Sequence, residues 1–525
     1  MKIYNLKSIT TVVFISVTLL LTSCVGDNLH PVNPTEDDLT PTERLGNLFP
    51  TMLYLLHNSQ ENNSQHIEQM VGNQYGGYMV TTNNWQGTNF GTFNPPAGWI
   101  EAPFSTVFIG FYSNFQKIID VTERKGHIYA WASIIRVGAM LRITDTYGPI
   151  PYSKMGYGKL EVEYDSVQDI YHYMIEDLDN SIIALTKYLK ETSGQGAIGQ
   201  YDKIFNGDFN KWIKFANSLK LRMAVRIAAV DTDYAKKIIS SAINDNGGTI
   251  EINADNAFLP SNDNPYYKAS HLWGDLACSA VLSSYMNGFK DPRRIAYMTK
   301  VKDAIEYRGV RMGIKDINKD IYSNANYFSK PAFTKDSPLL VFCAAETAFL
   351  KAEAALKGWI AGGDAKAKEY YERGIILSME QHNISPGEYL TGKTVPEEYR
   401  DPANSATAKV ASPTTVNWDD SGTTENTKLE KIITQKWLAN YPLGFEAWCD
   451  HRRTGFPQFF TAQTNLSAGS LMGSITNTSS RMARRLPYPQ LEYSGNNKNV
   501  QKAVSTLLGG TDDGSVDIWW AKNIK

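Results

Sequence analysis

Residues 127–145 (HIYAWASIIRVGAMLRITD) are apolar at almost every position, with Arg136, Arg142 and Asp145 as the full charges. A helix that is apolar all round is one buried on most sides. Arg142 and Asp145, three residues apart, predict an ion pair along that helix. In residues 211–230, Trp212, Ala216, Leu219, Met223, Ile227 and Val230 recur at spacings of four and three, giving one packing stripe with Lys211, Lys214 and Lys220 left in water. The same pattern returns at Ala345, Phe349, Ala352, Leu356 and Trp359; after Gly362-Gly363 a second helix opens with Asp364 as its cap. This is a helical hairpin of roughly 34 to 38 residues, the size of a tetratricopeptide unit. Similar hairpins are expected over 127–190 and 208–246. Strand signals are confined to pieces such as Thr249–Ile252. The predicted class is mainly α: tetratricopeptide-like helical hairpins forming a scaffold, with long irregular loops and few short strands.

The loops at 69–100, 246–273, 388–428 and 461–485 far exceed the usual connection of about 4 to 6 residues, which marks them as functional or mobile. The amino terminus is a different kind of segment. Lys2 and Lys7 precede an uncharged run from Ile9 to Leu21, the layout of a signal peptide. That run of 13 residues is well short of the roughly 20 needed to span hydrocarbon. Leu21-Thr22-Ser23-Cys24 resembles a bacterial lipobox, which makes Cys24 the lipidated first residue of the mature chain and the lipid its contact with the membrane. Residues 25–43 are polar, hold three prolines and read as a tether. The domain reading is therefore 1–23 signal peptide, 24–43 lipidated cysteine and tether, and 44–525 one helical domain.

Charge and cysteine content narrow the chemistry. The formal net charge of the 525 residues is -2; removal of Lys2 and Lys7 takes the mature chain to -4. No basic field is available for nucleic acid. Cys278, Cys343 and Cys449 are scattered and odd in number, so they read as small core residues rather than a disulfide framework. Zinc-ligand spacings are absent, no cofactor is called for, and nothing in the residues specifies a bound calcium. Gly387–Thr394 spells a P-loop, yet Pro396 follows where its helix should begin, and Glu388 would repel phosphate. Gly194–Gly199 spells a dinucleotide turn with no strand before it, and reads as a connector. Glu446 and Asp450, four apart and beside His451-Arg452-Arg453, read as members of an ion-pair network rather than a glycosidase pair.

Several blocks, in a consistent order, resemble the SusD/RagB-like outer-membrane lipoproteins of Bacteroidetes. They are DTYGPIPYS from Asp145, AETAFLKAEAALKGW from Ala345, IITQKWLANYPLGFEAWCDHRRTGFP from Ile432 and RRLPYPQLEYSGNN from Arg484, with the lipobox before them and Trp519-Trp520 after. Each has a structural reading: Tyr147-Gly148-Pro149 stops a helix, Pro442 and Gly444 separate two more, Arg452 and Arg453 cap carbonyls or pair with acids, and Arg485–Pro489 is an extended segment laid across helices. What the resemblance implies is a lipoprotein of the outer membrane, cell-surface facing, docked on a SusC-like TonB-dependent transporter to which it delivers a nutrient, usually a glycan.

The candidate binding residues come from composition instead. Residues 69–100 hold no charged side chain, but contain Tyr75, Tyr78, Trp85, Phe90, Phe93 and Trp99 among asparagines, threonines and glycines. A pyranose offers an apolar C–H face to an aromatic ring and hydroxyls to amide side chains, so this mixture suits a neutral sugar. Trp85 and Trp99 are the expected platforms, with Tyr75 and Tyr78 beside them and Asn83, Asn84 and Asn89 as hydrogen-bond partners. Tyr266, Tyr267 and Trp273 form a second candidate group. The expected function is capture of a glycan or oligosaccharide without covalent chemistry, hence not an enzyme. The alternatives are a peptide ligand, a structural lipoprotein and a surface glycoside hydrolase.

Overall fold

The apolar stretch around Trp131 forms a helix, α1 (Gly126–Tyr147), and every residue from Ala130 to Leu141 is buried. It ends where proline and glycine require: Gly148 takes φ +89° and donates its N–H to the Thr144 carbonyl. α1 packs against α2 (Val167–Thr192), and α2 against α3 (Phe209–Ile227), which forms a hairpin with α4 (Thr232–Asn244). Asp208 caps α3 by accepting from the N–H groups of Asn210 and Lys211. α3 leans on α5 (Ala344–Leu356), which pairs with α6 (Gly363–Glu380); α5 then packs on α7 (Glu425–Ala439), and α8 (Gly444–Thr454) follows. The expected hairpins are present at all three places, stacked in sequence order. Asp364 lies in the first turn of α6 and the cap is Gly362, whose left-handed φ of +110° only glycine adopts cheaply.

This is a computed structural model, and it describes residues 41–522 except 158, 160, 193–198, 246, 303–305 and 421–423. The signal peptide, Cys24, residues 25–40 of the tether and most of the Gly194–Gly199 spelling lie outside the described residues. The expected tether ran to residue 43, but Pro41–Gly46 is helical. The chain divides after Asn47, and residues 48–525 form one compact unit. Among the described residues no helix is long and apolar enough to cross a membrane.

Strands are few, as expected, but not where expected. Thr249–Ile252 has no ladder partner; Ile250 N–H is taken instead by the Ser218 hydroxyl. The two-stranded ribbons are β1 (Met79–Thr81) with β3 (Leu276–Cys278), β2 (Ala257–Leu259) with β4 (Leu339–Phe342), and Tyr399–Arg400 with Thr407–Ala408, all antiparallel.

Two charge assignments are corrected by the packing. Arg142 does not pair with Asp145. It reaches Glu68 at 2.5 Å and the carbonyls of Leu55 and Leu56, while Asp145 takes Arg226 from α3. Lys220, expected in water, is fully buried and bonds Asp179 at 2.6 Å and Asp245 at 3.2 Å, because α3 is covered on nearly all sides rather than along one stripe. These pairs belong to a wider set. Arg226 also holds Glu446; Arg222 grips Glu346 through two bonds of 2.6 and 2.7 Å; Arg453 grips Glu353 likewise and meets Asp450 at 2.8 Å, beside Lys436. Charges this deep persist only when paired. Glu446 and Asp450 are thus ion-pair members, and the three cysteines are buried and free.

The segment 485–489, expected to be extended and laid across helices, forms no helix or strand and closes open helix ends. Arg485 and Leu486 donate to the carbonyls of Tyr147 and Thr146, and the Tyr488 hydroxyl to that of Pro149. The P-loop spelling forms a short turn whose Tyr389 is buried, its hydroxyl bonded to Asp291.

One seam ties this interior to the loop region. The helical segment Gln65–Asn73 crosses α8 where Gly72 and Gly76 face Gly444, and a Cβ on Gly444 would sit 2.2 Å from the Gly72 carbonyl carbon. That closeness fixes where the chain enters β1.

Candidate functional site

The site is built on the end of the β1–β3 ribbon. Pairing of Thr81 with Leu276 continues one step further: Thr82 donates its N–H to the Asp275 carbonyl at 3.0 Å and its hydroxyl to that of Gly274 at 2.6 Å. The chain leaving β1 and the chain entering β3 therefore run side by side. This brings together two groups that the sequence kept apart, the 83–99 loop and the stretch ending at Trp273.

Beyond Thr82 the backbone turns through three consecutive left-handed residues, Trp85 (φ +39°), Gln86 (φ +61°) and Gly87 (φ +82°). For a side chain as bulky as tryptophan this costs on the order of 1 to 3 kcal/mol and needs surrounding bonds to hold it. They are present. Asn83 Oδ1 accepts from Trp85 N–H, Asn84 C=O from Gly87 N–H, and the Thr88 hydroxyl and Asn94 amide bond the carbonyls of Trp85 and Gly87. The result is a half-buried Trp85 ring set edge-to-face on half-buried Trp99, centroids 5.3 Å apart at 86°. Trp99 comes from the helix Ala97–Pro103 and is backed by Phe90 at 6.4 Å and His66 at 5.7 Å. Burial holds His66 below the ordinary histidine range.

Four of the sequence candidates do not belong here. Tyr75 is wholly buried against Phe90, Phe93 and Trp448. Tyr78 is stacked on Trp437 and donates to its carbonyl. Tyr266 is buried, its hydroxyl bonded to His57 and Asn73. Asn89 is 6% exposed and its amide oxygen closes a turn on Thr92 N–H. In each case a long loop needs anchors, and an aromatic or amide side chain supplied one. Tyr267 is half-buried and stacks on His271; among the described residues no hydrogen bond or ring contact joins it to the tryptophan pair. The remaining candidates, Asn83, Asn84, Trp85, Trp99 and Trp273, are half-exposed. Asn83 is committed within the protein, whereas the Asn84 amide side chain makes no hydrogen bond to another described residue.

Composition missed the charged residues that fold in from elsewhere. Asp275 Oδ1 accepts from Asn83 at 3.1 Å and from Lys319 at 2.6 Å, and Oδ2 from Gln65 at 3.1 Å. No spacing in the sequence links these four positions. Among the described residues no cluster of His, Cys, Asp or Glu suits a metal ion.

Tryptophan faces beside an uncommitted amide can hold the apolar face and a hydroxyl of a neutral ligand. They offer no nucleophile or general base.

A family model described as "Susd and RagB outer membrane lipoprotein" matches residues 27–521. No curated protein matches the chain. Among solved structures, a SusD homologue from Bacteroides uniformis is 37% identical over 91% of this chain and 99% of its own, with a TM-score of 0.82. A SusD-like protein from Bacteroides thetaiotaomicron is 36% identical over 91% and 98%, with a TM-score of 0.84. A SusD homologue from Flavobacterium johnsoniae, described as chitin-binding, is 32% identical over 91% and 99%, with a TM-score of 0.82. With the family model spanning nearly the whole chain, this protein belongs to the SusD-like family of outer-membrane lipoproteins.

Proposed function

We propose that this protein captures a glycan or oligosaccharide at the outer membrane and delivers it to a SusC-like TonB-dependent transporter. In this reading residues 1–23 direct export, Cys24 carries the lipid, and the site faces the cell exterior. The observation that carries it is the Trp85–Trp99 pair, half-exposed and set beside Asn84, whose side-chain amide makes no hydrogen bond among the described residues. Stacking and hydrogen bonding account for capture, and no bond is made or broken. The chitin-binding relative supports a carbohydrate as the ligand class. A peptide would draw on charge for its termini; Asp275, the carboxylate bonded to Asn83, is already paired with Lys319.

Delivery requires release, so affinities between millimolar and micromolar, about -4 to -8 kcal/mol, are expected. The test is calorimetry of residues 25–525 against a glycan panel that includes chitin oligosaccharides, with Trp85→Ala and Trp99→Ala run beside it. Loss of binding in either variant supports capture at this site. Binding unchanged in both overturns the site, and binding of peptides alone overturns the ligand class.

A further inference from the structure

We infer that Asp275 is the positioning residue of the tryptophan platform: it sets the conformation of Trp85 through Asn83 without touching the ligand. This rests on the reading of Trp85 as the ligand platform, and the geometry beneath it is as follows. Three donors from three separate segments converge on one carboxylate: Gln65 from the segment that crosses α8, Asn83 from the loop after β1, and Lys319 from the short helix Lys319–Tyr322. A carboxylate can accept all three, and bonds to a charged acceptor are the stronger kind. The main chain of Asp275 is fixed as well, its N–H donating to Ala269 and its carbonyl accepting from Thr82. Its side chain is 13% exposed, so it lies beneath the platform rather than on it.

The link onward is short. Asn83 spends its amide N–H on Asp275 and its amide oxygen on Trp85 N–H, which orients the amide and leaves no free rotation. Trp85 is the first of the three left-handed residues, where the backbone needs external support. Removing the carboxylate frees Asn83, and Asn83 is the side chain that holds the Trp85 amide. Lys319 adds a second consequence: its Asp275 bond ties the 319–322 helix to the same point, so the carboxylate joins the platform to its neighbour across the ribbon.

The experiment has one arm that needs no ligand. Acrylamide quenching of tryptophan fluorescence is measured in the wild type and in Asp275→Ala, Asp275→Asn, Asn83→Ala and the double alanine variant, each with and without Trp85→Phe to isolate Trp85. Expected is a rise in Trp85 quenching in both single alanine variants, no further rise in the double variant because both act through one path, and near-wild-type quenching in Asp275→Asn, which keeps an acceptor for Asn83. Unchanged Trp85 quenching in Asp275→Ala, or effects of the two alanines that simply add, overturns the inference. If Asp275→Ala does not fold, Asn83→Ala decides alone: unchanged Trp85 quenching there also overturns it. The second arm is calorimetry with whichever glycan the panel identifies, where Asp275→Ala should weaken binding about tenfold, the order expected when one large side chain must be immobilised anew. If no glycan binds, the functional reading fails while the quenching arm still tests the positioning role.

Discussion

Arg226 and Trp85 stand for two regions built on opposite principles. Around Arg226, charges from α1, α3, α5, α7 and α8 meet in the interior, each with a partner: Asp145, Glu446, Arg222 with Glu346, Arg453 with Glu353. Around Trp85, a loop with no charged side chain leaves two indole rings half-exposed and borrows its one carboxylate from a distant segment. The first region holds Asp145, Glu346, Glu446 and Arg453, residues of the very blocks by which the family is recognised. The second holds none of them. Recognition therefore reports the scaffold, and the ligand has to be argued from the loop.

The sharpest way to break this contrast is at Glu446. Glu446→Ala leaves Arg222 and Arg226 buried without their shared acid, and stability should fall by about 3 to 5 kcal/mol, read by urea unfolding. The folded fraction should bind glycan as the wild type does. A loss of binding with stability intact would make the interior functional and dissolve the distinction.

The seam between the regions comes next. Gly444→Ala places a methyl group 2.2 Å from the Gly72 backbone, an overlap that backbone rather than side chain must absorb. A cost of up to about 3 kcal/mol is expected. Because Gly72 leads into β1, this variant should also raise Trp85 quenching, which Glu446→Ala should not.

Acid separates the regions further. His451 is buried against Phe459, its Nδ1 bonded to the Pro457 carbonyl, and burial pushes its pKa down from 6.5 to about 3. Between those values the unfolded chain binds a proton that the native state does not, so this contribution is complete above pH 6.5 and falls as pH drops. The loss is about 1.4 kcal/mol per unit, hence about 2 kcal/mol at pH 5. Comparing urea midpoints at pH 7 and pH 5 tests it, and His451→Gln should flatten the difference. Asp450, held at about 2 by Lys436 and Arg453 against the opposing cost of burial, gives way only at lower pH.

How much of this was legible follows from the range of the interactions. α1, the α3–α4 and α5–α6 hairpins and the stop at Gly148 are local, set by apolar spacing and by proline and glycine, and the sequence carries them. The partners of Arg142 and Lys220 are not local. Spacing pairs Arg142 with Asp145 on one helix, but packing turned each toward a different neighbour, because the helices are buried on nearly every face. At the site, composition could not separate anchoring rings from exposed ones. Tyr75, Tyr78 and Tyr266 carry the same chemistry as Trp85 and differ only in what covers them. Asp275 was invisible for the same reason, since its three partners meet it only after folding.

On the platform itself, Trp85→Ala should cost about 2 kcal/mol of glycan affinity, as truncation of a central aromatic commonly does. Melting temperature should barely move, because the ring is half-exposed. Asn84→Ala is the finest test. Asn83 and Asn84 are adjacent, chemically identical and similarly exposed, but Asn83 is bonded to Asp275 and Trp85 while the Asn84 side-chain amide has no hydrogen-bond partner among the described residues. If the free amide serves the ligand, Asn84→Ala should lose about 1 kcal/mol of affinity, one hydrogen bond's worth, with melting temperature and Trp85 quenching unchanged. Asn83→Ala should lose affinity and raise quenching together. Should Asn84→Ala bind at full strength while Trp85→Ala does not, recognition rests on the apolar sugar face alone, and the ligand's hydroxyls are read from some other part of the rim.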